Sequence, residues 1–355
     1  MTTTATTTVD ATADLTLADA PPIQGLRFRG YRGEADLPAM VGVCNAVHDA
    51  DGVDEVVTLK GMTVDYANLT NSDPYRDVLL AEVDGQLVAY ARVEWEDENN
   101  GGRTYTSFGF VDPAWRRRGI GRAMLHENER RLRKIAADHL HDKPRWLGSF
   151  GADRDESNTH LLLSEGYVVV RHFYDMVRPT LDEIEDFPLP EGLEIRPVSR
   201  AGFRAVFDAD SEAFRDHWGG VDASEEAFQR WTNGPTFDLS LFVVAWDGDQ
   251  IAGGVLNAID PVENAERGHQ RGLLDSVFTR RPWRRRGLAG ALISRSFHLL
   301  RERGMTSAAL GVDAANPNEA LALYEASGFA VHRSYAAYRK PFDPSAGPEW
   351  LDLPE

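Results

Sequence analysis

The sequence predicts an α/β protein made of two tandem domains, each a mixed, mostly antiparallel sheet flanked by helices. Three observations predict this fold class. The same order of strand and helix patterns occurs twice, at an offset of 162 to 168 residues. An Asp-Gly pair joins two apolar runs in each half, at Asp84-Gly85 and Asp247-Gly248, which is a strong hairpin signal. Each half also contains the turn Trp-Arg-Arg-Arg-Gly, at 115–119 and 283–287.

The predicted elements follow one another in the same order in both halves. An alternating apolar and polar strand comes first, then an amphipathic helix, and then the Asp-Gly hairpin. A further strand runs into the arginine-rich turn, a long helix follows, and a fifth strand, a short helix and an aromatic strand close each half. In the two halves these elements begin at Leu26 and Leu193 for the first strand, Leu37 and Phe203 for the first helix, Tyr105 and Leu273 for the strand before the turn, Ile120 and Leu288 for the long helix, and Gly166 and Gly328 for the closing strand.

Composition places the boundaries between these halves. Residues 1–22 are rich in Thr, Ala and Asp and lack the basic region and apolar core of a signal peptide, so we expect a disordered leader. The acidic, proline-containing stretch 179–190 predicts a linker. The first domain then spans 23–178 and the second spans 191–355.

Charge and cysteine content exclude several classes of protein. The formal net charge of −18 argues against a general nucleic-acid binder, and it is compatible either with a solubilising surface or with a cationic substrate. The single cysteine, Cys44, rules out an internal disulfide framework. No apolar stretch reaches the ~18–20 residues that span a bilayer. We therefore expect a cytoplasmic monomer or homodimer without nucleic-acid or membrane partners.

The arginine-rich turns are typical of an anion site. The first N–H groups of a helix have no intrahelical partner, and the helix dipole adds positive charge there. Small residues let a phosphate approach these groups, and arginines add charge-assisted hydrogen bonds. The alternatives are a solvated helix start or a contact to a nucleic-acid backbone. The spacing matches neither Gly-x-Gly-x-x-Gly nor a Walker loop.

The sequence around both turns resembles the acetyl-CoA pyrophosphate motif of the GNAT superfamily of N-acetyltransferases. The first copy reads Val111-Asp-Pro-Ala-Trp-Arg-Arg-Arg-Gly-Ile-Gly121, whereas the second has Thr279 and Arg281 at the Val and Pro positions. Only the second is followed by Asn316…Tyr324…Gly328-Phe329, which looks like the family's closing signature. The resemblance implies acetyl-CoA as cosubstrate, held by Val277, Phe278, Thr279, Arg284, Arg285, Arg286, Gly287, Leu288, Ala289, Gly290 and Asn316, and in the first half by Arg116, Arg117, Arg118, Gly119, Ile120 and Gly121.

The same resemblance implies direct attack of an amine on the thioester. Tyr324 matches the family's proton donor for the leaving thiolate, although an aromatic core residue is the alternative. The first half has Leu162 at the corresponding position, so we expect a non-catalytic first domain. Many members carry a glutamate where this chain has Leu273, and Asp275 on the same side of that strand is the candidate general base. An ordinary strand-end carboxylate is the alternative reading of Asp275.

Two further residues lie where the family's acceptor-binding loop falls. We expect Asp216 to pair with the ammonium of a small-molecule amine substrate and His217 to relay its proton. A capped helix end with a packed Trp218 is the alternative. The histidines show no His-x-x-x-His or Cys/His clustering, so no metal is predicted. Rival functions are an acyl-CoA-binding sensory protein with two sites, and a paired scaffold without CoA binding.

Overall fold

The computed structural model describes residues 14–315 and 320–343. Its strands form one 13-stranded sheet in the order β1-β2-β3-β4-β5-β6-β13-β7-β12-β11-β10-β9-β8. The strands are β1 Asp14–Leu15, β2 Leu26–Gly30, β3 Val78–Val83, β4 Gln86–Asp97, β5 Arg103–Val111, β6 Arg145–Ala152, β7 Val168–Arg178, β8 Leu193–Arg196, β9 Phe242–Asp247, β10 Gln250–Ala258, β11 Arg271–Thr279, β12 Ser307–Asp313 and β13 Ala330–Pro341.

Helices pack against this sheet. They are α1 Leu37–Asp51, α2 Leu59–Ala67, α3 Pro74–Asp77, α4 Ile120–Ala136, α5 Glu156–Ser164, α6 Phe203–Ala213, α7 Glu225–Asn233, α8 Pro261–Arg267, α9 Leu288–Glu302 and α10 Ala320–Ala326. Among the described strands, β5–β6 and β11–β12 pair in parallel and the other pairs are antiparallel. The predicted fold class is therefore confirmed.

The two halves exchange their last strands. The N-terminal half's β7 pairs with β12 of the C-terminal half, and β13 of the C-terminal half pairs with β6 of the N-terminal half. The exchanged strands also pair with each other along most of their length, from Ala330↔Val177 to Arg339↔Val168. The predicted boundaries at 178 and 191 therefore separate segments of the chain and not spatial units, because each sheet is completed by a strand of the other half.

Buried ion pairs hold the exchanged strands. Arg171 on β7 donates to both carboxylate oxygens of Asp313 on β12, at 2.8 and 2.9 Å. Arg339 on β13 pairs with buried Glu98 from the β4–β5 turn, and its guanidinium stacks on Trp146. Because unpaired charges in the interior are costly, these pairs favour this one arrangement of the two halves.

Residues 14–22 are ordered, contrary to the disorder expected for 1–22. The strand Asp14–Leu15 pairs with β2, and Leu17 is buried against Ile120 and Met124 of α4. The predicted linker 179–190 has a similar role in the other half. Leu181 is buried, and backbone carbonyls of this stretch accept hydrogen bonds from Ser294 and Arg295 of α9.

The two stretches are in fact equivalent parts of the repeat. Asp19-Ala-Pro21 and Asp186-Phe-Pro188 lie at the same distance before the Gly-Leu that opens β2 and β8. Asp19 contacts His126 of α4 at 2.7 Å, and Asp186 contacts His298 of α9 at 2.7 Å. The repeat unit therefore begins upstream of the predicted domain boundaries, with a segment that lies against the long helix.

Two parallel strands diverge in each half. The β5–β6 pairing ends at Thr106↔Gly148, and the β11–β12 pairing ends at Leu273↔Ala309. The remainder of β5 and β11 runs on to the arginine-rich turn without a partner on that side. Each half therefore has a slot between strands that leads from its turn towards the middle of the sheet.

Candidate functional site

Both arginine-rich turns have the same backbone conformation. Arg117 and Arg285 have φ of 62° and 61°, and Gly119 and Gly287, the N-caps of α4 and α9, have φ of 91° and 79°. Left-handed residues next to a helix start direct successive N–H groups into one concavity, which is an anion-binding arrangement. A non-glycine residue rarely adopts positive φ, so its occurrence at the same point of both turns indicates a shared backbone requirement.

The first arginine of each turn forms hydrogen bonds with other parts of its own half. Arg116 donates to both carboxylate oxygens of Asp51 at 2.7 Å and to the Val111 carbonyl at 3.3 Å. Arg284 donates to Asp216 at 2.6 Å and to the Thr279 carbonyl at 2.9 Å. Each arginine therefore ties its turn to the end of the preceding strand and to the region after the first helix of its half.

The next two arginines of each turn face solvent. Arg117, Arg118, Arg285 and Arg286 are exposed, and Arg118 lies over the ring of Trp115 at 4.6 Å. A Cβ placed on Gly287 would meet no atom within 4 Å, whereas one placed on Gly119 would lie 3.2 Å from Pro21. The second turn is therefore fully open to an incoming phosphate, and the first is partly covered by the N-terminal segment.

The strand before the second turn contains a β-bulge that its counterpart lacks. The β10–β11 register shifts between Leu256↔Ser276 and Asn257↔Leu274, which leaves Asp275 as the extra residue. The β4–β5 pairing runs without a shift from Ala89↔Val111 to Asp97↔Arg103. Bulges re-aim a side chain and free backbone groups from the ladder. In this half the bulge directs Asp275 towards a cleft.

This central cleft has a volume of about 990 Å³ and is lined by residues of both halves. Asp275 faces it and makes no hydrogen bond or ion pair to any described residue. Its side chain is exposed to the cleft, and partial desolvation by the surrounding protein raises the pKa of the Asp275 carboxyl. Glu263 on the same side of the cleft has its pKa raised to about 7, first by burial and then by the negative charge of Asp260.

A second carboxyl, half-buried, lies beside the bulge. Asp210 on α6 accepts a hydrogen bond from Ser276. Burial, with a contribution from the charge of neighbouring Asp275, raises the pKa of Asp210 to about 7. A low-dielectric site with two carboxyls near one strand position favours the neutral form of at least one of them. Sequence reasoning did not identify Asp210, because an Asp on the inner face of a predicted helix carries no motif.

Tyr324 lies on α10 within the hydrophobic core of the C-terminal half. Its side chain is buried beside Phe329, with ring centroids 6.1 Å apart. The hydroxyl makes no hydrogen bond to any described residue, and burial raises the pKa of Tyr324 to about 12. Leu162, its counterpart on α5, is fully buried. Tyr324 is not among the residues that line the central cleft.

Comparison with known proteins places this geometry in a family. Residues 203–329 match the model "Acetyltransferase (GNAT) family", and residues 74–154 match "Acetyltransferase (GNAT) domain". The chain is 27% identical over 314 residues to a mycothiol acetyltransferase of Geodermatophilus obscurus, covering 86% of this chain and 94% of that protein.

Solved structures of GNAT proteins also superpose on this chain. A GCN5-related N-acetyltransferase from Sphaerobacter thermophilus superposes with a TM-score of 0.68 at 26% identity, covering 91% of this chain and 98% of that one. A tandem GNAT protein from the clavulanic acid biosynthesis pathway gives a TM-score of 0.63 at 16% identity over 90% and 100% of the two chains, which shows the shared fold. The chain is a tandem GNAT acetyltransferase.

GNAT enzymes use acetyl-CoA as cosubstrate, and the two turns supply a fitting cradle. Leu288 and Ile120 are buried at the helix starts, while Gly121, Ala289 and Gly290 keep the first turns narrow. Phe278 is buried on the side of the sheet facing α6, and Val277 and Thr279 are half-buried. Asn316 lies outside the described residues. These placements leave the assignment of Val277, Phe278, Thr279 and Asn316 to the cofactor as a prediction.

Three residues that were expected to contact ligands form ion pairs within the protein. Arg116 and Arg284 were expected to meet phosphate, but both are committed to carboxylates and strand carbonyls. Asp216 was expected to meet substrate, but it pairs with Arg281 and Arg284, and these guanidinium groups lower its pKa well below the usual range. The sequence spacing contained no sign that Arg284 would pair with Asp216, and the assignment of Asp216 to the substrate stays a prediction.

His217 packs against Phe214, with ring centroids 4.3 Å apart, and burial lowers its pKa. Its carbonyl accepts a hydrogen bond from Asn99 of the N-terminal half at 2.9 Å. The neighbouring Trp218 and Gly219 line the central cleft, whereas His217 does not. The acceptor loop therefore reaches the cleft through Trp218, and its role in substrate binding stays a prediction.

The central cleft also contains side chains that sequence reasoning missed. Phe173 and Asp175 of β7 and Arg333 and Tyr335 of β13 line it. They reach this position only because the strands are exchanged, and no local pattern marks an exchange. In the part of the chain that the structure describes, no group of three or more His, Cys, Asp or Glu is arranged to hold a metal ion, and no helix there has the length and apolarity to cross a membrane.

Proposed function

We propose that the C-terminal half transfers the acetyl group of acetyl-CoA to a primary amine of a small molecule that enters the central cleft. The observation that carries this proposal is the carboxyl of Asp275, which stands at a bulge, faces the cleft and has no partner among the described residues. A carboxyl with a raised pKa is a better match to an ammonium proton than an ordinary one, because general bases work best near the operating pH.

Asp275 accepts a proton from the substrate ammonium, and the free amine attacks the thioester carbonyl carbon. The C–S bond then breaks, and the thiolate takes the proton of Tyr324. The attacking nitrogen gives its second proton to the Tyr324 phenolate, and Asp275 releases the first proton to solvent. Beyond Leu273, β11 has no strand partner on the β12 side, so backbone N–H groups near Val277 and Phe278 that face that side would suit stabilisation of the oxyanion. Burial supports the acid role of Tyr324, since it keeps the phenol protonated at neutral pH.

The N-terminal half is proposed to lack transfer activity. Its strand β5 has no bulge, and Ser107 occupies the position of Asp275, where it accepts a hydrogen bond from Asn128 at 2.9 Å. Leu162 replaces Tyr324. This half keeps the turn and the slot without either proton-transfer group.

The test is the substitution Tyr324→Phe. We expect turnover, followed by release of free CoA thiol across a panel of amines, to fall by about 10²–10⁴, the usual contribution of a general acid. Acetyl-CoA binding measured by calorimetry should persist, because the cradle lies in the turn. Unchanged turnover would remove Tyr324 from the mechanism.

A further inference from the structure

The N-terminal half contains a second pocket, called here the N-half cavity. It has a volume of about 800 Å³ and lies beside β4 and β5, between Cys44 and His48 of α1 and Tyr66 of α2. Val221, Asp222 and Arg230 of the C-terminal half also line it. It lies within the size range of small-molecule sites, and neither the cradle nor the chemistry proposed above uses it.

Aromatic rings form much of its wall. Tyr66, Tyr90, Trp95, Phe108 and Phe110 all line the N-half cavity. Phe108 and Phe110 also line the central cleft, and Phe110 reaches the pocket beneath the first arginine-rich turn. The N-half cavity is therefore continuous with the slot that leads from that turn, and its walls suit an apolar or aromatic ligand body.

The residues that line the N-half cavity include more carboxyl groups than arginines. The two arginines of the lining are occupied: Arg92 pairs with Glu94 at 2.9 Å, and Arg230 pairs with Asp222 at 3.2 Å. Asp97 is neutralised from outside the lining by Arg103 and Lys143. Glu55, Asp65 and Glu96 make no ion pair with any described residue. The N-half cavity thus offers aromatic surface and unpaired carboxyls, and it has no free cation among the described lining residues.

Glu96 is the best placed of these carboxyls. It shares one face of β4 with Arg92 and Glu94, and it lines both the N-half cavity and the central cleft. Its carboxyl lies against the backbone of Gly220, where a Cβ would sit 2.8 Å from Oε2. Glu96 is therefore within reach of a ligand in either space.

We propose that the N-half cavity binds an organic ammonium ion with an aromatic or apolar body, with Glu96 as its counter-ion. The ammonium lies against Glu96, and the aromatic or apolar body packs against Phe110. The neighbouring rings of Phe108 and Tyr66 already stack with the Arg92 guanidinium, at 4.7 and 5.6 Å. This site is separate from the acetyl-transfer chemistry proposed for Asp275, since it needs neither acetyl-CoA nor Tyr324.

The affinity of the N-half cavity for an ammonium ion should depend on pH. Burial and the charges of Glu98, Glu94 and Asp222 raise the pKa of Glu96 to about 7, while Arg339 opposes them. An ammonium needs the ionised carboxyl, so affinity should fall as the pH drops below about 7. A nearby positive ligand should in turn lower the pKa of Glu96, so that binding at neutral pH releases protons.

The experiment is calorimetric titration of the full chain with 2-phenylethylammonium in the absence of acetyl-CoA. We expect saturable binding, no binding of the uncharged analogue 2-phenylethanol, and at least a tenfold loss of affinity in Glu96→Gln. Glu226→Gln, which removes the same charge from the exposed start of α7, should retain the wild-type affinity. If Glu96→Gln folds poorly, Glu96→Asp serves instead, with the charge kept and the affinity reduced.

Three results would overturn the proposal. They are wild-type affinity in Glu96→Gln, equal binding of 2-phenylethanol, and absence of binding at millimolar ligand. Asp275→Asn separates the two sites: a loss of 2-phenylethylammonium binding in that variant would move the ligand to the C-terminal half and also contradict the proposal. Because no acetyl transfer is measured, the outcome is independent of the function proposed above.

Discussion

The two halves of this molecule share a turn and differ at the strand before it. Arg117 and Arg285 have nearly the same positive φ, and Arg116 and Arg284 make equivalent braces to Asp51 and Asp216. The bulge occurs in β11 and not in β5. An anion cradle depends on backbone geometry and survives many side-chain changes. Proton transfer depends on a few side chains. The two proposed groups, Asp275 and Tyr324, occur only in the C-terminal half, and the N-terminal half has Ser107 and Leu162 at the same positions.

The halves also differ in how open the turn is. The segment 14–22 brings Pro21 to 3.2 Å from a Cβ placed on Gly119, whereas nothing lies within 4 Å of one on Gly287. The equivalent segment 179–190 contacts α9 one turn further along, with Phe187 4.0 Å from Gly290. The same repeat element therefore covers one turn and leaves the other accessible.

The largest expected effect comes from removing the carboxylate of Asp275, which the N-terminal half lacks at the equivalent Ser107. Asp275→Asn should lower turnover by about 10²–10⁴, because it removes the proposed base while keeping the size of the side chain. Activity of the wild-type enzyme should rise with pH as Asp275 ionises, since its raised pKa moves that ionisation upwards. Steady-state CoA release as a function of pH measures both.

The control for that experiment is the equivalent residue of the other half. Ser107→Ala removes a buried hydroxyl and its hydrogen bond with Asn128, and it should leave turnover within a factor of about two while costing roughly 1 kcal/mol of stability. A large loss of turnover in Ser107→Ala, or none in Asp275→Asn, would contradict the assignment of activity to the C-terminal half.

The second prediction concerns the buried ion pair between Arg171 of β7 and Asp313 of β12. Asp313→Asn leaves Arg171 buried without its carboxylate, and we expect the free energy of unfolding to fall by about 3–5 kcal/mol. Glu225→Gln breaks an exposed pair with Arg204 and should change stability by less than about 1 kcal/mol. Urea denaturation measures both, and similar small effects would show that the buried pair does not hold the exchanged strands.

A third, smaller effect concerns Asp210, whose counterpart at the same place in α1 is Cys44. Its pKa is about 7 in the folded protein and ~3.9 in an unfolded chain. The folded state then binds more protons between these values, so stability declines as pH rises from about 4 to about 7. Asp210→Asn should flatten that decline. An identical pH profile of the unfolding midpoint would show that Asp210 titrates normally.

The sequence predicted the parts of the fold that have local signals. Period-2 and period-3.6 patterns, the Asp-Gly hairpins and the glycine before each long helix placed the strands before the turns within two residues of β5 and β11. The exchange of β7 and β13 has no such signal, since either strand has the composition to complete either sheet. Disorder at 14–22 was expected from composition, yet Leu17 supplies enough buried contact to order that segment.

The site was predictable where a backbone motif defines it and not where side chains compete. Gly119 and Gly287 were recognised because the turn needs them, and their positive φ agrees with that need. The role of Asp216 in substrate binding stays a prediction, and spacing alone did not reveal its ion pair with Arg284. The cleft residues Asp175 and Arg333 were missed because they arrive from strands whose positions only the three-dimensional structure reveals.

Both arginine-rich turns have one backbone geometry, and we propose that only the second serves catalysis. A comparison of CoA release in Gly287→Glu and Gly119→Glu tests this proposal. Each substitution puts a side chain on a left-handed residue and a negative charge in an anion site. The backbone strain is therefore similar, although only the side chain at 119 meets a neighbour, Pro21 at 3.2 Å. We predict that Gly287→Glu abolishes turnover and that Gly119→Glu, once shown to be folded, retains most of it. Loss of activity in Gly119→Glu with acetyl-CoA binding at the second turn intact would contradict the account.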